Sequence, residues 1–106
     1  MAPLPTPAHY LQELVVMTSA EAKRRWRADI KAAWGNRCAY CGSDQALTLD
    51  HVHAKTRGGR DESRNLVPAC QACNRAKGSN HWLSWWVTQP TFDLGNFSRV
   101  LTHITA

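Results

Sequence analysis

The sequence predicts an α+β fold in which two short strands and a short helix form the core, flanked by an N-terminal helix and by C-terminal helices. Four cysteines form two Cys-x-x-Cys pairs, Cys38 with Cys41 and Cys70 with Cys73. The chain between the pairs is longer than the roughly 12 residues between the ligand pairs of a common DNA-reading finger, so folded structure must be inserted there. At 106 residues the chain has room for one domain of modest core, which a metal cross-link would help to stabilise.

The cysteines are predicted to bind a structural zinc ion. Four thiolates complete a closed tetrahedral zinc site, which keeps no open position for substrate or water. The alternative is a pair of disulfides in a small secreted domain, which needs an oxidising compartment and an export signal. No basic residue precedes Lys23, and polar residues interrupt the apolar stretch near the start, so the pattern is not that of a signal peptide. Zinc-bound thiolates are expected in a reducing cytoplasm.

Basic residues surround the inserted segment. The net charge is +5, with six Lys or Arg residues between Lys23 and Arg37 and six more between Lys55 and Lys77. Such a surface attracts a polyanion, and binding to phosphates would weaken as salt rises. The alternative is that these residues form ordinary solvated faces without a binding role. It stays open, more so for the first cluster than for the second.

One domain is predicted over residues 19–106, with its core at 37–78, after a flexible arm over residues 1–18. Three prolines alternate between Met1 and Pro7, a pattern that favours an extended chain over packing. The arm is therefore expected to lie outside the packed domain.

An N-terminal helix is predicted over residues 20–34. The segment Thr18–Glu21 resembles a capping box, apolar residues then recur at helical spacing, and Gly35 offers a stop. Because Trp26 and Trp34 lie on one stripe, they are interpreted as core contacts rather than as stacking platforms for nucleic acid, with the basic residues of the helix outside.

The core elements follow in the order strand, strand, helix. Residues 46–52 are predicted to form the first strand and residues 65–67 the second, with a glycine-containing loop over residues 57–60 between them. Residues 73–77 are predicted to form a short helix that Gly78 ends, with Asn74 and Lys77 on one face.

The last part of the chain is rich in aromatic residues. Three tryptophans lie in one stretch, Trp82, Trp85 and Trp86, and Asp93 could cap a last helix. The apolar spacing is typical of a helix pair that covers a small zinc core, although a dimer interface is the competing interpretation. No stretch is long enough to cross a membrane.

Residues 37–78 resemble the HNH endonucleases, the zinc-knuckle branch of the His-Me finger nucleases. The resemblance is carried, in order and spacing, by Asp50-His51-Val52-His53 with Gly58-Gly59, by Asn65-Leu66-Val67-Pro68-Ala69-Cys70, and by Cys73-Asn74-x-x-Lys77. It implies a ββα-metal core, in which a two-stranded hairpin packs on a helix around one divalent ion, beside the four-cysteine zinc site. It also implies metal-dependent hydrolysis of DNA, as nicking or as double-strand cleavage.

The resemblance implies the roles of three catalytic side chains. Asp50 and Asn74 would bind the catalytic ion through oxygen, and hard oxygen ligands suit Mg²⁺ or Mn²⁺. His51 occupies the position of the general base, where its imidazole would take a proton from the attacking water. On a regular strand Asp50 and His51 point to opposite faces, so both can serve one site only if the strand ends or bends there.

The resemblance also implies supporting residues. Asn65 would hydrogen-bond the loop after the first strand and so hold the catalytic histidine in place. His53, Arg75 and Lys77 are candidates for contacts with the substrate phosphates. The other histidines, His9, His81 and His103, have no partner at chelating spacing and are interpreted as surface or packing residues, with His81 close enough in sequence to line the substrate groove.

The alternative function is a non-catalytic zinc-stapled module for DNA binding or assembly. His51 separates the two hypotheses, because a binding module needs no base beside a metal-binding carboxylate. RNA as substrate stays open, since a phosphodiester cut with one ion does not require a deoxyribose. No separate DNA-reading motif occurs, so sequence specificity is expected to be low or to come from a protein partner. Phage, bacterial and mobile-element settings and the oligomeric state stay open.

Overall fold

The computed structural model describes residues 18–106, so the arm predicted over residues 1–18 lies, apart from its last residue, outside the described residues. The helices and strands are α1 (Ser19–Ala33), β1 (Leu47–His51), β2 (Leu66–Cys70), α2 (Gln71–Lys77), α3 (Trp82–Trp86) and α4 (Leu94–Ile104). Two short 3-10 turns, Lys55–Arg57 and Ser63–Asn65, lie between the strands. The predicted α+β fold class is confirmed. Within the described range, no helix is long and apolar enough to cross a membrane.

Helix α1 begins at the predicted capping box. The Thr18 hydroxyl accepts from the backbone N–H of Glu21, and the Glu21 carboxylate accepts from the backbone N–H of Thr18, both at 3.1 Å. Trp26 and Ile30 are buried against Leu66 of β2. The indole N–H of Trp26 donates to the Ser63 hydroxyl at 2.8 Å, which confirms a core role for this tryptophan.

The two strands form an antiparallel hairpin in which Leu47 pairs with Cys70 and His51 pairs with Leu66. Strand β2 is buried throughout and runs three residues beyond the predicted end at Val67, through Pro68. Both strands of a two-stranded sheet are edge strands, where proline is tolerated. The Pro68 carbonyl accepts from the backbone N–H of Ala39 at 2.8 Å, which ties the hairpin to the first cysteine pair.

The C-terminal helices pack on the cysteine-rich end of the hairpin. The aromatic rings of Trp85 and Trp86 meet Tyr40 edge to face, at centroid distances of 5.2 and 5.0 Å. Asp93 caps α4 by accepting from the backbone N–H of Asn96 at 2.9 Å. The predicted covering of the core by the aromatic tail is confirmed.

The loop after β1 turns at Gly58 and Gly59 for different reasons. Gly58 has a φ of +85°, which favours glycine. Gly59 has an ordinary φ, but a Cβ built on it would overlap the carbonyl oxygen of His53. The backbone of this loop therefore passes too close to the segment after β1 for any side chain at position 59.

Gly59→Ala is expected to lower the free energy of unfolding by about 3 kcal/mol, because the loop must move away from the His53 carbonyl. Gly58→Ala is the neighbouring control and should cost only the left-handed backbone, about 1–2 kcal/mol. Urea unfolding of the two zinc-loaded variants measures both effects. A loss at Gly59 no larger than that at Gly58 would show that the loop relaxes freely.

Candidate active site and metal centres

The four cysteines converge on one point. Their Sγ atoms all lie within 4.8 Å of one another, and the Sγ atoms of Cys41 and Cys70 are 3.6 Å apart. A tetrahedral zinc ion with Zn–S bonds of about 2.3 Å places its sulfurs roughly 3.8 Å apart. All four cysteines are free thiols rather than disulfides. The predicted four-cysteine cluster is confirmed, and its donor set and spacing fit a zinc ion.

Local hydrogen bonds of the backbone position the two cysteine pairs. In the first pair the N–H of Gly42 donates to the Cys38 carbonyl at 2.9 Å, where Gly42 adopts a φ of +80°. In the second pair Cys70 ends β2 and caps α2, since its Sγ accepts from the backbone N–H of Cys73 at 3.4 Å. Burial and the neighbouring Cys38 sulfur raise the pKa of the Cys73 thiol. A cation at the centre of the cluster would offset this repulsion among thiolates.

Asp50, His51 and Asn74 line one cavity of about 250 Å³ between β1 and α2. Strand β1 ends at His51, so the strict alternation of side chains does not continue past this residue. Asp50 and His51 are both paired residues of β1, opposite Val67 and Leu66, so the predicted end or bend of the strand does not fall between them. The Asp50 carboxylate contacts Tyr40, whereas the His51 ring contacts Asp61. Asp50, His51 and Asn74 still border one cavity at the end of the hairpin.

Asp50 is nearly buried, with 6% of its surface exposed. Its Oδ2 accepts from the Tyr40 hydroxyl at 2.7 Å and lies 3.2 Å from Nζ of Lys77. Burial raises the pKa of the Asp50 carboxyl, while the hydrogen bond from Tyr40 and the charge of Lys77 oppose the rise. Burial and the Asp50 charge raise the pKa of Tyr40, so its hydroxyl keeps the proton that it donates.

Lys77 differs from its predicted role as a phosphate contact. Its side chain is fully buried, and Nζ donates to the His51 carbonyl at 2.9 Å besides pairing with Asp50. The face of α2 that carries Asn74 and Lys77 packs against β1, so the lysine points inward. Lys77 is thus the counter-ion of Asp50 in this structure rather than a surface cation.

Lys77→Met is expected to destabilise the fold by about 3–5 kcal/mol, because it leaves Asp50 buried without its counter-ion. Arg75→Met makes the same change at an exposed position of α2 and should cost no more than about 0.5 kcal/mol. Urea unfolding of the zinc-loaded variants gives both values. The double variant Asp50→Asn/Lys77→Met should recover part of the loss, and no recovery would argue against a charge pair.

Thr48 fixes the orientation of the Asn74 amide. The Thr48 hydroxyl donates its proton to the Ala69 carbonyl at 2.9 Å, so it can only accept from Asn74. Nδ2 of Asn74 makes this bond at 2.8 Å, which turns Oδ1 of the amide away from Thr48. Thr48 was not predicted as a site residue, although its place two residues before Asp50 put it on the same strand face.

Asn65 makes the hydrogen bonds predicted for it. Its Oδ1 accepts from the backbone N–H of His53 at 2.9 Å, and its Nδ2 donates to the carbonyls of His53 and Arg60 at 3.0 and 2.8 Å. The side chain is buried, with 6% of its surface exposed. Asn65 therefore joins both ends of the loop that follows β1.

The His51 ring is half-buried and contacts a residue that was not predicted. Its Nε2 lies 3.1 Å from Oδ1 of Asp61, an exposed residue of the loop between the strands. Among residues 18–106 the ring has no hydrogen bond through Nδ1 to another side chain. Sequence spacing alone gives no signal for this pair, because the partners are joined only by the fold of the loop.

The remaining candidate residues occupy other positions. His53 is exposed and lines, with His81, a different cavity of about 490 Å³, so its ring does not share the cavity of Asp50 and Asn74. Nδ1 of His81 accepts from the backbone N–H of Ser84 at 3.4 Å and caps α3. Arg75 is exposed on α2.

The other two histidines of the chain lie away from the site. His103 lies 2.9 Å from the Ser63 carbonyl and 3.0 Å from the Leu66 carbonyl through Nε2, so this nitrogen carries the proton. Its interpretation as a packing residue is confirmed. His9 lies outside the described residues.

Residues 38–80 match the family model described as HNH endonuclease. The HNH resemblance is confirmed for this segment. The HNH segment contains both cysteine pairs and the cavity formed by Asp50, His51 and Asn74. It begins at Cys38 and ends shortly before α3.

Two known proteins resemble the chain. A CRISPR-associated endonuclease Cas9 from Corynebacterium diphtheriae is 33% identical over an alignment of 64 residues that covers 57% of this chain and 6% of that protein. The crystal structure of the Type II-C Cas9 enzyme from Actinomyces naeslundii superposes with a TM-score of 0.60 at 18% identity, covering 92% of this chain and 12% of that chain. This chain thus spans a small part of each protein, and the superposition supports the fold of the HNH segment and its flanking helices.

Proposed function

We propose that this chain is a metal-dependent endonuclease that hydrolyses the phosphodiester bonds of DNA. The observation that carries the proposal is the convergence of Asp50, His51 and Asn74 on one cavity within an HNH segment. A carboxylate, an amide oxygen and an imidazole at one open site are the groups that metal-assisted phosphodiester hydrolysis needs.

His51 acts as the general base. The Nε2–H group donates to Asp61 at 3.1 Å, so the lone pair lies on Nδ1, which takes a proton from the attacking water. Imidazole is the side chain that exchanges protons most readily near neutral pH. Attack by this water forms a new bond to phosphorus and breaks the bond to the 3′ oxygen, which takes a proton from solvent water. The products are a 3′-hydroxyl end and a 5′-phosphate end.

Asp50 and Asn74 hold the catalytic ion, Mg²⁺ or Mn²⁺. Oδ2 of Asp50 is engaged by Tyr40, whereas its Oδ1 has only a long contact of 3.4 Å with Lys77, and Oδ1 of Asn74 is turned away from Thr48. These two hard oxygens fit the preference of both ions. When bound, such an ion stabilises the negative charge that develops on the phosphate and on the departing oxygen.

The four cysteines hold a structural zinc ion, which fixes the position of α2 relative to the hairpin. Soft thiolates suit zinc far better than magnesium, so the two metal centres are expected to load independently. Asn65 supports the site without reacting, since it fixes the loop that follows His51. His53 and Arg75 are proposed phosphate contacts at the rim of the site.

DNA is proposed as the substrate because the basic residues lie around the HNH segment, and because the Cas9 relative from Corynebacterium diphtheriae is described as an endonuclease. A protein partner is proposed to supply sequence specificity. A thiolate zinc centre fits a reducing compartment, so the cytoplasm of a bacterial cell, with or without a phage or mobile element, is the proposed setting.

Incubation of zinc-loaded protein with an end-labelled DNA duplex and Mg²⁺ or Mn²⁺ tests this proposal. Internal cuts that leave 5′-phosphate ends, which DNA ligase can rejoin, are the expected result. A matched RNA duplex in parallel tests the choice of substrate. Binding of the DNA duplex without any cut under either ion would instead favour a zinc-stapled binding module.

A further inference from the structure

One side of α1, next to its buried face, carries a basic groove that the proposed chemistry does not use. Its lining consists of Lys23, Arg24, Arg27 and Lys31 with two alanines and Asn36, around a volume of about 580 Å³. We call this surface the α1 groove. Among residues 18–106, the first three of these basic side chains form no ion pair with an acidic residue. Their positive charge is therefore presented to solvent.

The groove follows from helical spacing. Lys23, Arg27 and Lys31 are four residues apart and form one stripe along the helix, which flanks the buried face that carries Ile30. At 1.5 Å per residue, they extend over about 12 Å, the axial distance occupied by three to four phosphates of one DNA strand. Small side chains at Ala20 and Ala28 keep the groove open between the cations.

The α1 groove is continuous with the candidate active site. Arg27 and Lys31 also line a second cavity of about 400 Å³, which reaches His51 and Asp61. Lys31 marks the junction, because its Nζ donates to the Leu47 carbonyl of β1 at 3.4 Å. A polyanion that lies along α1 would therefore be led to the imidazole of the proposed general base.

We propose that the α1 groove binds the sugar-phosphate backbone of duplex DNA on one side of the scissile phosphate. This inference rests on the proposed endonuclease function and adds the direction in which the bound DNA extends from the active site. The positive charge of α1 is concentrated on this surface, because four of the five basic residues of the helix line the groove. Arg25 is the exception and lies about 160° around the helix from Arg27.

Arg25 and Arg27 form a matched pair for the test, because both are exposed on the same helix and differ only in facing the groove. Arg27→Gln and Arg25→Gln are compared in a His51→Ala background, so that no cleavage disturbs the measurement. Fluorescence anisotropy with a labelled duplex of about 20 base pairs gives affinity at several salt concentrations. Zinc content and circular dichroism confirm that both variants remain folded.

Arg27→Gln is expected to weaken binding about three- to tenfold near 0.1 M salt and to lower the salt slope by about 0.9. Arg25→Gln should change both quantities clearly less. Equal effects of the two substitutions would contradict a specific DNA-binding role of the α1 groove, because they would show that the net charge of the protein alone attracts the DNA.

The outcome separates this inference from the proposed function. If Arg27→Gln weakens DNA binding more than Arg25→Gln but the parent protein does not cleave DNA, the α1 groove is supported and the endonuclease proposal is contradicted. If the parent protein cleaves DNA but the two variants weaken binding equally, the endonuclease proposal is supported and the DNA-binding role of the α1 groove is contradicted.

Discussion

Cys70→Ser is expected to release the bound zinc and to unfold the domain. Cys70 is the last residue of β2 and the N-cap of α2, and its Sγ lies 3.6 Å from that of Cys41. One substitution therefore breaks the metal site at the junction of hairpin and helix. Structural zinc supplies about 10–16 kcal/mol in small zinc domains, which is more than the stability of most domains of this size.

Zinc content by atomic absorption and folding by circular dichroism measure this effect. Ala72→Ser introduces the same residue at an exposed position of α2 and should keep one zinc per chain with an unchanged spectrum. Cys70→Ser protein that retains a full equivalent of zinc would contradict the assignment of four thiolate ligands.

His51→Ala is expected to reduce cleavage by about 10²–10⁴-fold, because no other imidazole lines the cavity of Asp50 and Asn74 in residues 18–106. Zinc content and DNA affinity should stay close to those of the parent. The ring contacts Asp61 on the surface and lies away from the cysteine cluster, so its removal should leave the fold intact.

Single-turnover cleavage with a chosen ion measures the effect. His81→Asn is the control, since it removes an exposed imidazole and keeps a side chain that can cap α3. It should cut within a fewfold of the parent rate. A His51→Ala protein that cuts as fast as the parent would exclude His51 as the base.

Local signals in the sequence predicted the elements of the fold and the four-cysteine cluster, whereas the proposed catalytic residues came from the HNH resemblance. The capping box at Thr18, the stripe of Trp26 and Ile30, and the cap at Asp93 all act within a few residues, so spacing alone reveals them. The four-cysteine cluster was predictable because metal chelation imposes its spacing directly on the chain.

Long-range contacts were not predictable in this way. Lysine is almost always exposed, so the placement of Lys77 on an inner helix face next to Asn74 gave no sign of a buried pair with Asp50. The bond from Tyr40 to Asp50 joins the first cysteine pair to β1, and that from His51 to Asp61 crosses a loop. Such pairs depend on how the elements pack, which residue spacing does not encode.

Cleavage of supercoiled plasmid by zinc-loaded protein, with and without added Mg²⁺ or Mn²⁺ and with His51→Ala in parallel, tests the central claim most directly. The proposed function predicts nicked or linear plasmid only when both the added ion and His51 are present. Intact plasmid under every condition, with DNA binding retained, would contradict it, and so would cleavage that persists in His51→Ala.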